Sequence, residues 1–304
     1  MDTLTKNITL APMNLLYKIS PEITLRILFR LKTGYKLNLD HPVTYNEKLQ
    51  WIKLYDKNPL MPICADKYAV RNYVESCGCA EILNDLIWEG FDPEEIPFDS
   101  LPNRFVIKAT HGSGFNIICR NKDELDYKKV VNKLKKWLKQ KYFPCYGEWF
   151  YGVVKPRIII ERLLTDNDDS IPADYKVMCF HGEPRYILVD TDRFTSHKRN
   201  IYTIDWRLLK GVTISFPNGK PIDKPSKLEE LLYYSRKLSS KFIHARIDFY
   251  IVNNKIYFGE ITFTHGAGFS KINPFSFNVE MGSHINLPLK KKSAAGKDKN
   301  ESCC

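Results

Sequence analysis

The chain has 304 residues, of which 46 are Lys or Arg and 35 are Asp or Glu, so its formal net charge is +11. This length permits a large core and two or three subdomains. No run approaches the roughly 18 apolar residues of a membrane span, and no signal peptide is recognised, so neither is predicted. The basic residues are dispersed without a nucleic-acid motif, so no nucleic-acid partner is expected.

The cysteines indicate a reducing compartment. Eight are scattered along the chain and none forms a C-x-x-C pair. This spacing argues against a zinc site and favours reduced thiols. The sequence therefore predicts a cytoplasmic protein.

Residues 1–100 are predicted to be mainly helical. Ser20 followed by Pro21 marks the start of one helix. Thr44 and Glu47 form the capping box of a second helix. A third helical period, in "CADKYAVRNYVESCG", ends near a glycine.

Strand-like runs dominate after residue 100, with helices predicted between them. The strand-like runs are "NRFVIK", "FNIICR", "RIIIERLL", "DYKVMCFHGEPRYILVDTDR", "NIYTIDW" and "RIDFYIVNNKIYFGEITFT". This order predicts an α+β nucleotide-binding body behind the helical N-terminal region.

The last of these runs is a hairpin that carries two carboxylates, Asp248 and Glu260. A turn made of Asn253 and Asn254 alone would place Asp248 opposite Gly259, and the carboxylates on opposite faces. A three-residue loop that includes Lys255 places Asp248 opposite Glu260, because side chains alternate along a strand. The second register also gives apolar pairs on both faces, and it is the register that we predict.

Two carboxylates about 5 Å apart repel each other, so a third group must stabilise them. A shared proton, a salt bridge to Arg246 and a divalent cation are the three possibilities. Mg²⁺ suits the third, because it takes oxygen ligands and often combines one or two carboxylates with phosphate groups.

A glycine loop with a preceding lysine is the second candidate feature. Lys108 ends an apolar strand, and His111, Gly112, Ser113 and Gly114 follow it. Glycines allow backbone N–H groups to approach an anion, and lysine supplies a charge for phosphate. An ordinary hairpin turn explains the same residues when they are considered alone.

Between these features, Glu161 ends an apolar run before Leu163 and Leu164, where an adenine pocket or a surface carboxylate is possible. Asp174 and Lys176 follow on one face of the next strand.

Together these motifs resemble the ATP-grasp superfamily, and more narrowly the TupA-like ATP-grasp family of teichuronopeptide and capsule biosynthesis. The resemblance covers about residues 40–282. The residues that carry it are "FVIKATHGSG", "IIIERLL", "ADYKVMCFHGEPRYI" and "ARIDFYIVNNKIYFGEITFTHGAGF", with "TYNEKLQWIKLYD" and "CADKYAVRNYV" upstream.

The resemblance implies an ATP-grasp fold, in which two α+β subdomains clasp ATP. It divides the chain into a helical region (1–100), a subdomain with the glycine loop and adenine hinge (101–180), a subdomain with the metal-binding hairpin (181–288) and a disordered basic tail (289–304). The implied activity is that of an ATP- and Mg²⁺-dependent ligase that joins a carboxylate to an amine through an acyl phosphate. The implied acid is a uronic-acid-type cell-surface polysaccharide or precursor, handled in the cytoplasm, where association with the inner face of the membrane is an option.

The resemblance also implies roles for individual residues. Lys108 and Arg246 would be catalytic, and Asp248, Glu260 and Thr262 would hold Mg²⁺. The residues implied to contact ATP are Lys108, His111, Gly112, Ser113, Gly114, Glu161, Leu163, Leu164, Asp174 and Lys176.

One departure leaves rival functions open. Many ATP-grasp ligases carry an asparagine where this chain has Thr262, so the number of metal ions is undetermined. A non-catalytic binding protein and a kinase of the same fold are alternatives. A metal-dependent glycosyltransferase is a further alternative, because Asp190 and Asp192 form a D-x-D motif.

Overall fold

The computed structural model describes residues 3–112, 114–140, 144–166, 170–192 and 195–288. Its α-helices are α1 (Thr3–Ile19), α2 (Pro21–Thr33), α3 (Tyr45–Tyr55), α4 (Leu60–Ala65), α5 (Val70–Ser76), α6 (Tyr127–Leu138), α7 (Leu228–Ser239) and α8 (Phe275–Ser283). Its strands are β1 (Leu86–Gly90), β2 (Phe105–Ala109), β3 (Asn116–Cys119), β4 (Ile158–Arg162), β5 (Asp174–Phe180), β6 (Glu183–Thr191), β7 (Lys198–Thr203), β8 (Thr213–Ile214), β9 (His244–Val252), β10 (Lys255–Thr262) and β11 (Ile272–Asn273). The α+β class is as predicted.

The predicted helix starts are present. The Ser20 side chain accepts a hydrogen bond from the N–H of Ile23 at the start of α2. At the start of α3, Thr44 Oγ1 accepts from the N–H of Glu47 at 3.2 Å, and Glu47 Oε2 accepts from the N–H of Thr44 at 3.0 Å. These reciprocal bonds satisfy donors that the first helical turn leaves free.

The third predicted helix is divided in two, as α4 and α5. Asp66 between them is extended, and its Oδ1 accepts hydrogen bonds of 2.9 Å from the N–H groups of Tyr68 and Ala69. An aspartate that bonds local backbone in this way competes with the continuous helix. The break places Lys67 and Arg71 beside the strands of the first sheet.

The first sheet has the order β1-β4-β2-β3 and is antiparallel throughout. Helix α6 covers it, and both form a separate apolar core that includes Phe105, Ile107, Leu134 and Ile160.

The second sheet has the order β10-β9-β5-β6-β7 and is also antiparallel. Its apolar side chains, including Val177 and Phe249, share one core with Phe29 of α2 and Leu49 of α3. The Tyr45 hydroxyl contacts the buried His244 Nε2 at 2.9 Å, so the N-terminal helices pack directly on this sheet.

The two sheets divide the chain differently from the predicted ranges. Strand β1 lies within 1–100 but pairs with β4, and β5 lies within 101–180 but pairs with β6 and β9. Strand pairing joins segments distant in sequence, and no local pattern of the chain indicates which sheet a strand enters. The tail 289–304 lies outside the described residues.

The hairpin of β9 and β10 has a different register at its turn from the one predicted. Asn253 and Asn254 form a two-residue turn with φ of 49° and 59°, and Val252 pairs with Lys255, so the predicted three-residue loop is wrong. The pairing then shifts by one residue at Gly259, and Asp248 lies opposite Glu260 as predicted. A β-bulge at Gly259 therefore supplies the extra residue that we had placed in the loop.

Across the described residues, the helices are too short or too polar to span a membrane.

Candidate active site

The face of the hairpin carries a network centred on Arg246. Its Nε and Nη2 donate to the two oxygens of Asp248 at 2.6 and 2.7 Å. Nη2 also donates to Glu260 Oε1 and to Thr262 Oγ1, both at 3.0 Å. Arg246 thus forms salt bridges with both of the facing carboxylates.

The neighbouring strand β5 extends this network. Lys176 Nζ lies 2.6 Å from carboxylate oxygens of both Asp174 and Asp248, and all three residues are buried. Asp174 and Lys176, predicted to contact ATP, are thereby joined to the predicted metal ligands. Buried charges of this kind are stable only when each has a partner of opposite charge.

A cavity of about 790 Å³ lies in front of the hairpin. Arg246, Glu260 and Thr262 line it, and so does Gly112 of the glycine loop. The structure therefore brings the hairpin and Gly112 of the glycine loop to one cavity, whereas Lys108 lines a smaller pocket with Lys67 and Glu161. Its charged lining residues are Lys32, Lys67, Glu148, Arg246, Glu260 and Lys271.

Lys67 connects the glycine loop with the hairpin. Its Nζ donates to the carbonyl of Gly112 at 2.6 Å. Burial lowers the pKa of Lys67, and the negative charge of Glu260 opposes that effect. Burial would raise the pKa of Glu260, but Lys67, Arg246 and Lys176 together lower it to about 2. Glu260 is thus a carboxylate held ionised at the cavity wall.

The donor set fits Mg²⁺. Carboxylate and hydroxyl oxygens are ligands that this ion accepts, and it commonly uses few protein ligands beside water and phosphate. The Glu260 side chain is 37% exposed, whereas that of Asp248 is 4% exposed and contacts Arg246 and Lys176. Glu260 and Thr262 therefore face the cavity, and Asp248 would have to exchange a cationic partner to reach a metal. Within the described ranges, no group of three or more His, Cys, Asp or Glu could hold a metal by itself.

The first sheet contributes a simpler charged pair. Lys108 Nζ lies 2.6 Å from Glu161 Oε2, and Arg71 Nη1 lies 3.3 Å from Glu161 Oε1. The phosphate-binding lysine and the adenine-side carboxylate of the prediction are therefore paired with each other. Leu163 and Leu164, which follow β4, are half-buried.

The glycine loop has the backbone that its residues favour. Gly112 and Gly114 have φ of 79° and 81°, a region that side-chain-bearing residues rarely adopt. His111 is turned away from the cavity, since its Nε2 lies 3.1 Å from the carbonyl oxygens of Trp137 and Gln140 at the end of α6. Ser113 lies outside the described residues.

Several residues of the site had no predicted role. Lys67 and Arg71 lie in "CADKYAVRNYV", where their spacing of four residues, directly after Asp66, was the available signal. His265 lies between two guanidinium groups, 2.5 Å from Arg246 Nη1 and 3.1 Å from Arg199 Nη1. No pattern in the sequence indicates those contacts.

The D-x-D motif does not form a paired carboxylate site. Asp190 is buried and accepts two hydrogen bonds from Arg199, at 2.5 and 2.7 Å, whereas Asp192 is exposed. An aspartate held bidentately by arginine is committed to that ion pair.

The comparison with family models matches residues 47–286 to the family described as TupA-like ATPgrasp. The comparison with curated proteins gave no significant match.

Solved structures that are similar to this chain include three ligases. D-alanine–D-alanine ligase from Bacillus anthracis in complex with ATP is 17% identical, with a TM-score of 0.40 over 66% of this chain and 55% of that one. L-amino acid ligase from Bacillus licheniformis is 13% identical, with a TM-score of 0.47 over 83% and 56%. D-alanine–D-alanine ligase from Helicobacter pylori is 14% identical, with a TM-score of 0.43 over 80% and 69%. The chain thus spans about half to two thirds of the length of these proteins.

Proposed function

Because the chain belongs to the TupA-like ATP-grasp family, we propose that it is an ATP- and Mg²⁺-dependent ligase that joins a carboxylate to an amine. The observation that carries this proposal is the shared cavity. Gly112 and Lys67 meet Arg246, Glu260 and Thr262 there, so the glycine loop and the residues proposed to hold the metal face one space.

The proposed reaction has two steps. The carboxylate oxygen attacks the γ-phosphorus of ATP, and the bond between this phosphorus and the oxygen that joins it to the β-phosphate breaks. The products of this step are ADP and an acyl phosphate. The amine nitrogen then attacks the carbonyl carbon, and phosphate departs as the amide forms and a proton is released. Both steps concentrate negative charge, which fixed cations stabilise in a site with little water.

The residues of this chain supply those cations from both sheets. Lys108 exchanges Glu161 for a phosphate oxygen, and Lys67 holds the glycine loop through Gly112. Arg246 lies at the cavity wall, where it stabilises the transferring phosphoryl group. Glu260 and Thr262 would hold Mg²⁺, and Asp248 would join them on exchange of a cationic partner. The bound ion would supply positive charge beside the phosphates.

The test is release of ADP and phosphate from ATP in the presence of a uronic acid and an amino acid. A ligase requires both co-substrates. Phosphorylation of a hydroxyl without any need for an amine would identify a kinase, and ATP binding without turnover would identify a binding protein. The contacts of Asp190 with Arg199 disfavour the glycosyltransferase alternative.

We also propose which acid the protein uses and where in the cell it acts. A uronic-acid-type polysaccharide or its precursor suits a cavity with four basic lining residues, since such an acid is anionic. We place the protein in the cytoplasm at the inner face of the membrane. An exposed apolar row on α1 and α2 supports this, at Leu15, Ile19, Ile23, Ile27 and Leu31.

The exposed Lys18 and Arg30 accompany this apolar row, and an anionic bilayer attracts both kinds of group. Sedimentation with vesicles of anionic lipid tests the location. Ile23→Asn should weaken sedimentation several-fold, and Val153→Asn, at an exposed apolar site elsewhere, is its control. Equal sedimentation of both variants and the wild type would contradict this location.

A further inference from the structure

Glu148 is a buried carboxylate of the cavity that the reaction as described does not use. It lies between the 3₁₀ turn Pro144–Tyr146 and β4, and it is 5% exposed. Its Oε1 accepts a hydrogen bond from the hydroxyl of Thr264. Its Oε2 is buried and has no hydrogen-bond partner among the described residues. A buried carboxylate oxygen without a hydrogen-bond donor is unfavourable in free energy. This points to a ligand as the donor.

The nearby cation, Lys53, does not donate a hydrogen bond to Glu148 Oε2. Lys53 Nζ donates to the carbonyls of Tyr146 and Ala267, at 2.6 and 2.8 Å, and lies 4.5 Å from the centre of the Phe269 ring. Lys53 thus binds the two backbone segments that flank the cavity, and it influences Glu148 through its charge alone. Burial raises the pKa of Glu148 to about 7, against the opposing effects of Lys53 and Thr264.

The other carboxylate of the cavity is already engaged. Glu260 Oε1 accepts from Arg246 and from Thr262, at 3.0 and 3.1 Å. Among the charged groups that line the cavity, Glu148 is the carboxylate with a buried oxygen that lacks a hydrogen-bond donor in the described part of the chain. A cationic donor at this position stabilises the ionised form of the carboxyl, which burial otherwise disfavours. An ammonium group fits this place, since its N–H groups can donate to Glu148 Oε2.

We propose that Glu148 binds the acceptor amine as its ammonium ion and takes a proton from it before attack on the acyl phosphate. This inference rests on the proposed ligase function and names the residue that recognises the amine. The step is a proton transfer: the ammonium N–H bond breaks, Glu148 Oε2 gains the proton, and the neutral nitrogen keeps the electron pair that forms the amide bond. A carboxyl whose pKa lies near neutral is suited to such a transfer.

The experiment compares a charged and an uncharged nucleophile. Glucuronate is the carboxylate probe, each of the common amino acids is an ammonium-bearing probe, and hydroxylamine is a probe that is uncharged at neutral pH. Glu148→Gln keeps an acceptor for Thr264 and removes the negative charge. It should raise KM for the amino acids by about 10- to 100-fold, the size expected for loss of a charged hydrogen bond.

Hydroxamate formation by Glu148→Gln should stay near the wild-type rate, and it also shows that the variant is folded and makes acyl phosphate. Glu148→Asp should recover part of the amino-acid KM. Glu229→Gln, at an exposed position of α7, is the matched control and should keep wild-type constants.

Two results separate the claims. If Glu148→Gln leaves the KM for amino acids unchanged, or reduces hydroxamate formation as strongly as amide formation, the role of Glu148 is overturned while the ligase function stands. If the wild type forms neither amide nor hydroxamate from any uronic acid, the ligase function is overturned, and the inference about Glu148 is overturned with it.

Discussion

The charged groups of the two sheets differ in how firmly they are held. On the first sheet, Lys108 and Glu161 form a pair whose side chains are 22% and 9% exposed. On the second sheet, Arg246, Asp248 and Lys176 form a network whose side chains are 4–9% exposed, and both Asp248 oxygens are engaged. The first pair can exchange a partner for a ligand at small cost, whereas the second network resists loss of any member.

This difference follows from position along the strands. Lys108 lies one residue before the end of β2, where a glycine loop begins and solvent has access. Asp248 and Lys176 lie within β9 and β5, which pair with each other in the sheet interior. The first sheet therefore offers an adaptable phosphate site, and the second offers a fixed electrostatic frame.

Removal of Arg246 should have the largest effect. Arg246→Met leaves Asp248 with Lys176 as its remaining cationic partner and should lower the free energy of unfolding by about 3 kcal/mol, with loss of activity. Urea unfolding measures the first effect. Arg236→Met, which breaks the exposed ion pair with Glu183, is the control and should cost less than about 1 kcal/mol. If the two variants are equally stable, the network of the second sheet is held no more firmly than an exposed ion pair.

Removal of Lys108 should affect binding rather than stability. Lys108→Met should weaken ATP affinity by about tenfold or more, since a charged contact to phosphate is lost. Unfolding should change by less than about 1 kcal/mol, because Arg71 still pairs with Glu161. Calorimetric titration with ATP and Mg²⁺ measures the affinity, and an unchanged value would contradict the phosphate role.

The pH dependence of stability should also reflect the buried second sheet. Burial lowers the pKa of His244 to about 3, against about 6.5 in an unfolded chain. Between these values the unfolded state binds one more proton. The stability that neutral His244 provides is thus complete above pH of about 6.5 and declines below it by about 1.4 kcal/mol per pH unit.

Replacement of His244 tests the direction of this pH dependence. His244→Gln should weaken the dependence of the free energy of unfolding on pH by the contribution of one titrating group. Urea unfolding across that pH range measures this dependence. His41→Gln, at an exposed position, should keep the wild-type slope. Identical slopes in all three proteins would show that His244 is not buried in its neutral form.

The substitution with the smallest expected effect on stability lies at Gly259, in the β-bulge. A Cβ at this position would lie 3.0 Å from the carbonyl oxygen of Asp248 and 3.3 Å from its carbon. Gly259→Ala should therefore displace the strand locally and destabilise the protein by about 1 kcal/mol. Its effect on metal-dependent turnover should be larger, because the bulge sets Asp248 opposite Glu260. Unaltered turnover would show that the bulge does not position the carboxylates.

Local patterns predicted the features that depend on neighbouring residues. The caps at Ser20 and Thr44 and the glycine loop with Gly112 and Gly114 were visible in short stretches of sequence. The facing of Asp248 and Glu260 was also predicted, although through the wrong turn, because a loop residue and a bulge residue shift the register equally.

Contacts between distant segments could not be predicted in this way. Lys176 meets Asp248 across strands separated by 72 positions, and Thr264 meets Glu148 across 116. Such pairs depend on which strands are neighbours, and strand order is a property of the whole fold. The break at Asp66, which sets Lys67 and Arg71 at the site, depends on a side-chain hydrogen bond that competes with a strong helical pattern.

The most direct test of the ligase reaction follows an oxygen atom. A uronic acid labelled with heavy oxygen in its carboxylate is incubated with the protein, ATP, Mg²⁺ and an amino acid, and the released phosphate is examined by mass spectrometry. An acyl phosphate intermediate predicts that one labelled oxygen moves from the carboxylate to the phosphate. Release of ADP with unlabelled phosphate would contradict the ligase mechanism.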